Sequence, residues 1–189
     1  MNDKIWDKFK EDNTDLWVFA YGSLLWNPGF EIVESIPSVL CGYRRSFCMW
    51  SVHYRGTPEN PGLVLALEKR KGEKCRGMAL RCKREDKRKV LSYLHKRELI
   101  SYAYIECTDN INLSDGRTPI ALLYVVNPDH PQYTGNLSLE QQAHIISSAR
   151  GDVGPNSDYL SKTVNRLNQL GIADSNLEKL NKLVRERLG

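Results

Sequence analysis

Long hydrophobic runs are missing from this chain of 189 residues. No segment stays apolar over the roughly 20 residues that a helix needs to cross a bilayer, so we expect no membrane partner. Internal repeats and low-complexity tracts are missing as well, which excludes repeat arrays and long disordered tails. Residues 1–15 are polar and mixed in charge, and we expect a polar arm there rather than a secretory signal.

Paired cysteine motifs are also missing. The chain has five cysteines, an odd number without CxxC spacing, at Cys41, Cys48, Cys75, Cys82 and Cys107. A disulfide framework or a cysteine-based zinc site is typically recognised by paired, regularly spaced cysteines. We therefore expect reduced thiols, no bound metal and a cytoplasmic protein.

A strong net charge is absent, since the formal value is only +4. Residues 69–89 nevertheless hold eleven basic and three acidic side chains, a local net charge of +8. This basic stretch either binds an anionic partner such as nucleic acid or is the solvated face of a hairpin and a helix. No aromatic side chain interrupts the stretch, so the stacking platform for bases is missing. We favour the solvated face.

The length of the chain predicts one domain over residues 1–189. The pattern of apolar residues predicts mainly strands in 16–126 and mainly helices in 138–188. One helix, near 85–97, is expected among the strands because Val90 and Leu91 share a helical face with Leu94. The strand-like runs are 16–21, 39–50, 62–68, 76–82, 102–107 and 119–126. A sheet formed early in the chain, with helices packed on it later, predicts an α+β fold.

Two helix starts in the last third have the spacing of a capping box. Ser138 precedes Gln141, and Ser175 precedes Glu178, so each serine can cap a helix that the following residue supports. Apolar residues recur at helical spacing here, and we interpret them as core contacts: Ile145, Ile146, Leu160, Val164, Leu167, Leu177, Leu180 and Val184.

The most informative segment runs from residue 17 to residue 28. A short apolar run rich in residues that favour strands ends in Tyr-Gly-Ser-Leu and then Trp-Asn-Pro. Gly22 lets the backbone turn sharply or approach a ligand closely. The amides that follow it can point into a pocket and bind negative charge. The segment therefore predicts a small-ligand site.

Two other positions are candidates for chemistry. Arg55 precedes a stiff Gly-Thr-Pro turn, and its guanidinium either clamps a substrate carboxylate or ties a loop to backbone carbonyls or a structural Asp. Glu98 follows three residues that are basic or can be, so its carboxylate can stay ionised. Its position alone does not rank it above Glu85 or Glu106.

Several blocks together resemble the ChaC-type γ-glutamylcyclotransferases. They follow the order of that family along nearly the whole chain, at 21–28 (Tyr-Gly-Ser-Leu-Leu-Trp-Asn-Pro), 42–47 (Gly-Tyr-Arg-Arg-Ser-Phe), 55–62 (Arg-Gly-Thr-Pro-Glu-Asn-Pro-Gly), Arg97-Glu98, 154–160 and 170–174. The Tyr-Gly-Ser-Leu loop alone is shared by a wider superfamily, so the resemblance depends on the complete set.

The resemblance implies a cofactor-free enzyme with a small-molecule γ-glutamyl substrate, in this branch usually glutathione. The implied products are 5-oxoproline and the freed amine, which is cysteinylglycine for glutathione. The implied fold is a small mixed β-barrel with flanking and C-terminal helices. The family's catalytic glutamate maps to Glu98. Its substrate loop maps to Ala20, Tyr21, Gly22, Ser23, Leu24 and Leu25.

For some of these residues the sequence leaves two roles open. Tyr21 either lines the pocket wall or packs in the core, and Ser23 either binds the glutamyl carboxylate or braces the turn. Tyr102 and Tyr124 lie near the ends of strand-like runs, where they can line the pocket or pack in the core.

Departures from the family pattern keep alternative functions open. Leu99, Ile100 and Ser101 stand before Tyr102 where many relatives have Gly-Gly-Tyr. We therefore retain a γ-glutamylamine or γ-glutamyl-amino-acid cyclotransferase as an alternative. A second alternative is a non-catalytic protein that binds a γ-glutamyl metabolite or an anion.

Overall fold

Strands dominate the first two thirds of the described chain, and helices dominate the last third. The structure is a computed structural model that describes residues 14–189, so most of the predicted arm over 1–15 lies outside the described residues. The strands are β1 (Leu16–Ala20), β2 (Glu34–Ser51), β3 (Gly62–Cys82), β4 (Tyr104–Asn110), β5 (Asn112–Leu113), β6 (Ile120–Val126), β7 (Arg150–Gly151) and β8 (Gly154–Pro155). The helices are α1 (Lys87–Glu98), α2 (Leu139–Ser148), α3 (Asn156–Gln169) and α4 (Ser175–Leu188). The α+β prediction is confirmed.

Strand β3 is longer than the sequence pattern indicated. The two runs predicted at 62–68 and 76–82 are parts of one strand, because the charged residues between them stay in the ladder beside β2. Their side chains are mostly exposed, so apolar alternation disappears there while backbone pairing continues. The two-residue strands β5, β7 and β8 were not predicted, since so short a segment carries no alternation to detect.

The sheet has the strand order β4-β6-β1-β3-β2-β5. Strand β1 lies at its centre, antiparallel to β3 with Phe19 opposite Ala79, and parallel to β6 with Trp17 opposite Ala121. All five residues of β1 are buried. A strand covered on both faces reads as a continuous apolar run, which is why Leu-Trp-Val-Phe-Ala shows no alternation.

The sheet curls at β1, β3 and β6. Strand β1 lies between β3 and β6, and yet β3 also pairs directly with β6, in parallel, at Leu67 opposite Val125. A strand that contacts the same neighbour by both routes must bend around the strand between them. The curled sheet combines parallel and antiparallel pairs, as the predicted small mixed barrel requires.

The described chain forms two compact units. The first comprises the described residues up to Arg45 together with Leu67–Asn127, and the second comprises Ser46–Ala66 together with Pro128–Gly189. Strands β2 and β3 each begin in one unit and end in the other. The single domain expected over residues 1–189 stays a prediction.

The second unit contains helices α2, α3 and α4. The apolar residues predicted as its core are buried, except Ile145, which is half-buried. Ser138 caps α2 through the predicted capping box with Gln141. The prediction for α4 was wrong by one residue, because the side chain of Asp174, not Ser175, accepts a hydrogen bond from the Leu177 amide at 3.2 Å. No helix within residues 14–189 is long and apolar enough to cross a membrane.

The basic stretch 69–89 is divided between a strand and the start of a helix. Its first part, 69–76, belongs to β3, and its last part, 83–89, covers the start of α1. The intervening residues 77–82 form the part of β3 that pairs with β1, and most of their side chains are buried. The favoured interpretation of this stretch as a solvated face and the alternative of an anion-binding surface both stay predictions.

Candidate active site

The loop that begins the site follows directly from the end of β1. Gly22 leaves the strand, and Ser23–Leu25 form one 3-10 turn whose two leucine side chains are buried in the core. The turn's internal hydrogen bonds begin with the Leu25 amide, which donates to the Gly22 carbonyl at 2.9 Å. The amides of Ser23 and Leu24 precede that bond. The first amides of a helical turn have no acceptor within the turn, so they can donate to a bound anion or carbonyl oxygen.

Glu98 is the last residue of α1. The helix buries Val90, Leu91 and Leu94, so its apolar face packs in the core up to the turn before Glu98. The Glu98 side chain is only 14% exposed. Burial raises its pKa above the ordinary value of 4.5, while the neighbouring Arg97 opposes the rise through its charge and a hydrogen bond. A carboxyl group whose pKa is raised by burial holds a proton more readily than an exposed one, which suits it to both accept and return a proton.

Arg97 connects the Glu98 carboxyl to the loop. Its Nε lies 3.1 Å from Glu98 Oε1, and one of its terminal nitrogens donates to Ser23 Oγ at 2.9 Å. Its other terminal nitrogen donates to the Asn27 carbonyl at 2.6 Å and to the Tyr93 hydroxyl at 2.9 Å. One guanidinium group thus spans the carboxyl and the loop.

Two tyrosines join the loop to the neighbouring strand β6. The Tyr21 hydroxyl donates to the backbone carbonyl of Tyr124 at 3.0 Å, and the Tyr124 hydroxyl donates to Glu106 Oε1 at 2.9 Å. All three residues are buried. Burial raises the pKa of Tyr124, and the charges of Glu106 and Glu98 raise it further. Tyr124 is therefore a neutral hydrogen-bond donor in the same electrostatic environment as Glu98.

A second arginine braces the loop from β2. The Arg45 side chain donates to the Tyr21 carbonyl at 2.7 Å and to the Arg76 carbonyl at 2.6 Å. Beside it, a Cβ added at Gly77 would overlap the Ala20 carbonyl and the Phe19 ring. The end of β1 is therefore held tightly, which keeps the loop amides in fixed directions.

Arg55 belongs to the second unit, and it is tied to backbone carbonyls there. Its guanidinium donates to the carbonyls of Val153 and Pro155 at 3.0 and 3.1 Å, and the side chain is buried. Around it, a Cβ on Gly56 would overlap the Gly62 amide, so the 55–62 loop requires glycine for close packing. These contacts match the structural alternative for Arg55. Its role as a substrate clamp stays a prediction.

The other predicted site residues divide into buried and exposed side chains. Ala20, Leu24 and Leu25 are buried in the core, so they can meet a substrate only through their backbone. Tyr21 and Tyr124 are buried, which matches the core alternative, and the Arg97 contact matches the bracing role of Ser23. The substrate-binding roles of these three residues stay predictions. Core packing is wrong for Tyr102, which is 64% exposed and has a left-handed φ of 58°. A left-handed tyrosine is uncommon, and its place in a pocket wall stays a prediction.

The family model for ChaC-like proteins matches residues 16–187. The chain belongs to the ChaC-like family. It is 36% identical to a glutathione-specific γ-glutamylcyclotransferase of Escherichia coli, over 90% of this chain and 73% of that protein. It is 38% identical to γ-glutamylcyclotransferase 2-3 of Arabidopsis thaliana, over 92% of this chain and 90% of that protein.

Solved structures share the fold of this ChaC-like chain. The crystal structure of a yeast γ-glutamyl cyclotransferase specific to glutathione superposes with a TM-score of 0.84 at 23% identity, covering 92% of this chain and 97% of that one. YkqA from Bacillus subtilis superposes with a TM-score of 0.63 at 20% identity, covering 96% of this chain and 58% of that one. The fold that the sequence resemblance implied is therefore confirmed.

Three residues of this ChaC-like site were not predicted as functional. Arg97 was noted only as part of the Arg-Glu block, although its spacing of four from Tyr93 places both on one helical face. Arg45 lies in the predicted Gly-Tyr-Arg-Arg block, but nothing in the sequence shows which carbonyl it binds. Glu106 was considered as an acid and left unranked, because only the folded sheet shows that Tyr124 stands opposite it.

No group of three or more His, Cys, Asp and Glu side chains within residues 14–189 is arranged to hold a metal ion. The groups that the site offers for chemistry are a carboxyl, a phenol and backbone amides. Such groups can transfer protons and donate hydrogen bonds to a developing negative charge.

Proposed function

We propose that this protein converts a γ-glutamyl compound, with glutathione as the principal substrate, into 5-oxoproline and a free amine. One observation supports the assignment of Glu98 as the catalytic acid and base. It is the buried carboxyl of Glu98, joined through the Arg97 guanidinium to the Ser23 hydroxyl of the glycine loop. The names of the Escherichia coli and yeast proteins support glutathione as the substrate.

The reaction needs no nucleophile from the protein. The substrate's α-amino nitrogen attacks its own γ-carbonyl carbon, and the new C–N bond closes a five-membered lactam. The C–N bond to the leaving amine then breaks. Because the nucleophile is tethered, holding the chain in its folded conformation can remove roughly 7–11 kcal/mol of the barrier. The protein's task is to hold that conformation and to move one proton.

Glu98 moves the proton in this proposal. The ionised carboxylate accepts a proton from the attacking nitrogen and then donates it to the leaving nitrogen, so the enzyme ends in its starting state. A residue that is first base and then acid works best with a pKa near the working pH. Burial raises the pKa of Glu98 in that direction, and Arg97 limits the rise.

The loop amides stabilise the oxyanion that forms on the γ-carbonyl oxygen. The amides of Ser23 and Leu24 precede the turn's first internal hydrogen bond, and they are the donors we assign to this role. One such donor typically stabilises the transition state by about 2.7–4 kcal/mol. The contacts of Arg45 with the Tyr21 carbonyl keep these amides preorganised.

The test is direct. Purified protein is incubated with glutathione, and 5-oxoproline and cysteinylglycine are measured. We expect the wild-type protein to release the two products in equal amounts. We expect Glu98→Gln to lose turnover, because glutamine keeps the size of the side chain but cannot take the proton. Glu85→Gln is the matched control, because Glu85 is an exposed acid just before the same helix, and it should retain full activity.

A panel of γ-glutamyl substrates separates glutathione from the alternatives. The panel holds the glutamyl part constant and varies the leaving group between cysteinylglycine, single amino acids and simple amines. If kcat/KM were higher for a γ-glutamylamine than for glutathione, the γ-glutamylamine would be the principal substrate and the proposed mechanism would be unchanged. Absence of 5-oxoproline from every substrate would overturn the enzymatic proposal in favour of a binding protein.

We also propose that the reaction takes place in the cytoplasm. The odd number of cysteines without paired spacing supports a reducing compartment. Cell fractionation with an antibody against the protein tests this, and recovery in a secreted fraction would contradict it.

A further inference from the structure

We propose that Arg97 is a positioning residue of the cyclisation, whose guanidinium sets the distance and direction of the Glu98 carboxyl relative to the 21–25 loop. The proposal rests on the proposed function, because it requires Glu98 to be the group that transfers the proton. Arg97 itself contacts protein groups only, so its action on the substrate is exerted through Glu98 and the loop.

All three nitrogens of the Arg97 guanidinium contact protein groups. Its Nε contacts Glu98 Oε1 at 3.1 Å, and its two terminal nitrogens donate to Ser23 Oγ, the Asn27 carbonyl and the Tyr93 hydroxyl at 2.6–2.9 Å. A guanidinium is planar, and its five donors have fixed directions. Rotating it would break contacts with the helix, the loop and the carboxyl together. The group therefore acts as a rigid spacer between acid and loop.

The contact with Arg97 also distinguishes the two carboxyl oxygens of Glu98. Oε1 is the oxygen held by Arg97. Within residues 14–189, the structure shows no hydrogen bond to Oε2, so this is the oxygen we assign to the substrate's amine. A catalytic base whose second atom is fixed by a third group is the usual arrangement in activated nucleophile sites. Here Glu98 is the base, and Arg97 is the third group that fixes its Oε1.

The charges around Glu98 define how Arg97 affects its protonation. On its own helix, Arg97 lowers the pKa that burial raises. From β6, Tyr124 faces the same region, and burial holds it in the protonated, uncharged form. Behind Tyr124, Glu106 on β4 accepts the phenol's hydrogen bond. Arg97 is therefore the cation that favours the ionised form of Glu98 and opposes the effect of burial on its pKa.

The experiment compares Arg97→Gln, Arg97→Lys and Lys96→Gln. Lys96→Gln is the matched control, because it removes one positive charge from an exposed neighbour on the same helix. The pH dependence of kcat/KM with glutathione is measured for each variant. Since Glu98 must be ionised to accept a proton, the acid limb of the profile reports its pKa in the free enzyme.

For Arg97→Gln we expect the acid limb to move to higher pH by about 1–3 units, the effect of removing an opposite charge at this range. We also expect kcat to fall about 10²-fold with a smaller change in KM, as for a misplaced catalytic group. Arg97→Lys keeps the charge without the planar fork, so its acid limb should stay near the wild-type position while kcat falls. Lys96→Gln should change neither quantity.

Several outcomes would overturn the proposal. One is an Arg97→Gln variant with wild-type kcat and an unmoved acid limb; another is a lower melting temperature as the only change. If Arg97→Gln does not fold, an Arg97→Lys variant with full kcat would have the same meaning. Turnover retained in Glu98→Gln would instead remove the proposed role of Glu98, and an inactive Glu98→Gln beside a normal Arg97→Gln would remove only the role of Arg97.

Discussion

At the residue scale, Glu98 and Glu106 in the first unit are held by different partners. Glu98 has a cationic neighbour, Arg97, whereas Glu106 accepts a hydrogen bond from the neutral Tyr124. An arginine stabilises the ionised form of a carboxyl strongly, while a phenol satisfies it without adding charge. The two acids therefore have different chemical roles. In our proposal Glu98 exchanges a proton with the substrate, whereas Glu106 accepts the hydrogen bond of Tyr124.

The raised pKa of Glu98 predicts a specific pH dependence of stability. The folded protein binds the Glu98 proton more tightly than the unfolded chain, which keeps the ordinary value of 4.5. As pH rises from about 4.5 to the folded-state pKa, the unfolded chain has lost its proton and the folded protein has not, so the free energy of unfolding falls. Above the folded-state pKa this loss is complete.

Urea unfolding of wild-type protein and Glu98→Gln across pH 4–8 measures this effect. Glutamine cannot titrate, so we expect the wild type to lose stability relative to Glu98→Gln within that window and to run parallel above it. Parallel curves over the whole range would mean that burial does not raise the pKa of Glu98.

At the scale of elements, the loop after β1 is held against α1 by a close contact. Gly29 has a φ of 76°, and a Cβ added there would overlap the hydroxyl and ring edge of Tyr93. Tyr93 also accepts a hydrogen bond from Arg97. The backbone at Gly29, the tyrosine and the arginine thus form one packed contact between loop and helix.

We expect Gly29→Ala to lower both stability and kcat. A left-handed alanine costs about 1–2 kcal/mol, and the overlap with Tyr93 adds to this cost by displacing Arg97. Gly72→Ala is the matched control, because Gly72 has a φ of 86° with open space around it. Urea unfolding and glutathione turnover are measured for both variants. Equal losses of stability and turnover in the two variants would show that the contact with Tyr93 contributes to neither.

At the scale of the whole molecule, strands β2 and β3 continue from one compact unit into the other. Within the second unit, Asn156 at the start of α3 exchanges two hydrogen bonds of 2.7 Å with the backbone of Leu63 in β3. Both residues are fully buried. A strand that is continuous through both units cannot lose its structure in one without disturbing its ladder in the other.

We therefore expect one cooperative unfolding transition, as the single-domain prediction requires. Asn156→Ala leaves two buried backbone groups without partners, at a cost of about 1–3 kcal/mol each, and should move the whole transition to lower temperature. Asn165→Ala, at an exposed position of the same helix, should leave it unchanged. Calorimetry that resolves two transitions, with only one shifted by Asn156→Ala, would contradict the prediction.

The sequence by itself determined the local features of this protein. The central strand β1 follows from a short run of apolar, strand-favouring residues. The apolar faces of α2–α4 follow from helical periodicity, and the Ser138 cap follows from side-chain chemistry. The ordered blocks from 21–28 to 170–174 were sufficient to indicate the family. The continuous strand β3 was divided in the prediction because its exposed charges conceal the ladder, and the cap at Asp174 was missed because two adjacent residues can both cap a helix.

Only the tertiary structure decided which groups meet. Glu98, Glu85 and Glu106 are equivalent candidates in the sequence, but only the first combines burial with an arginine that also binds the loop. Arg55 reads as a clamp or a tie until its partners are seen. The physical reason is that the pKa and reach of a charged side chain depend on its neighbours in space, and these come from strands and helices far apart in the chain.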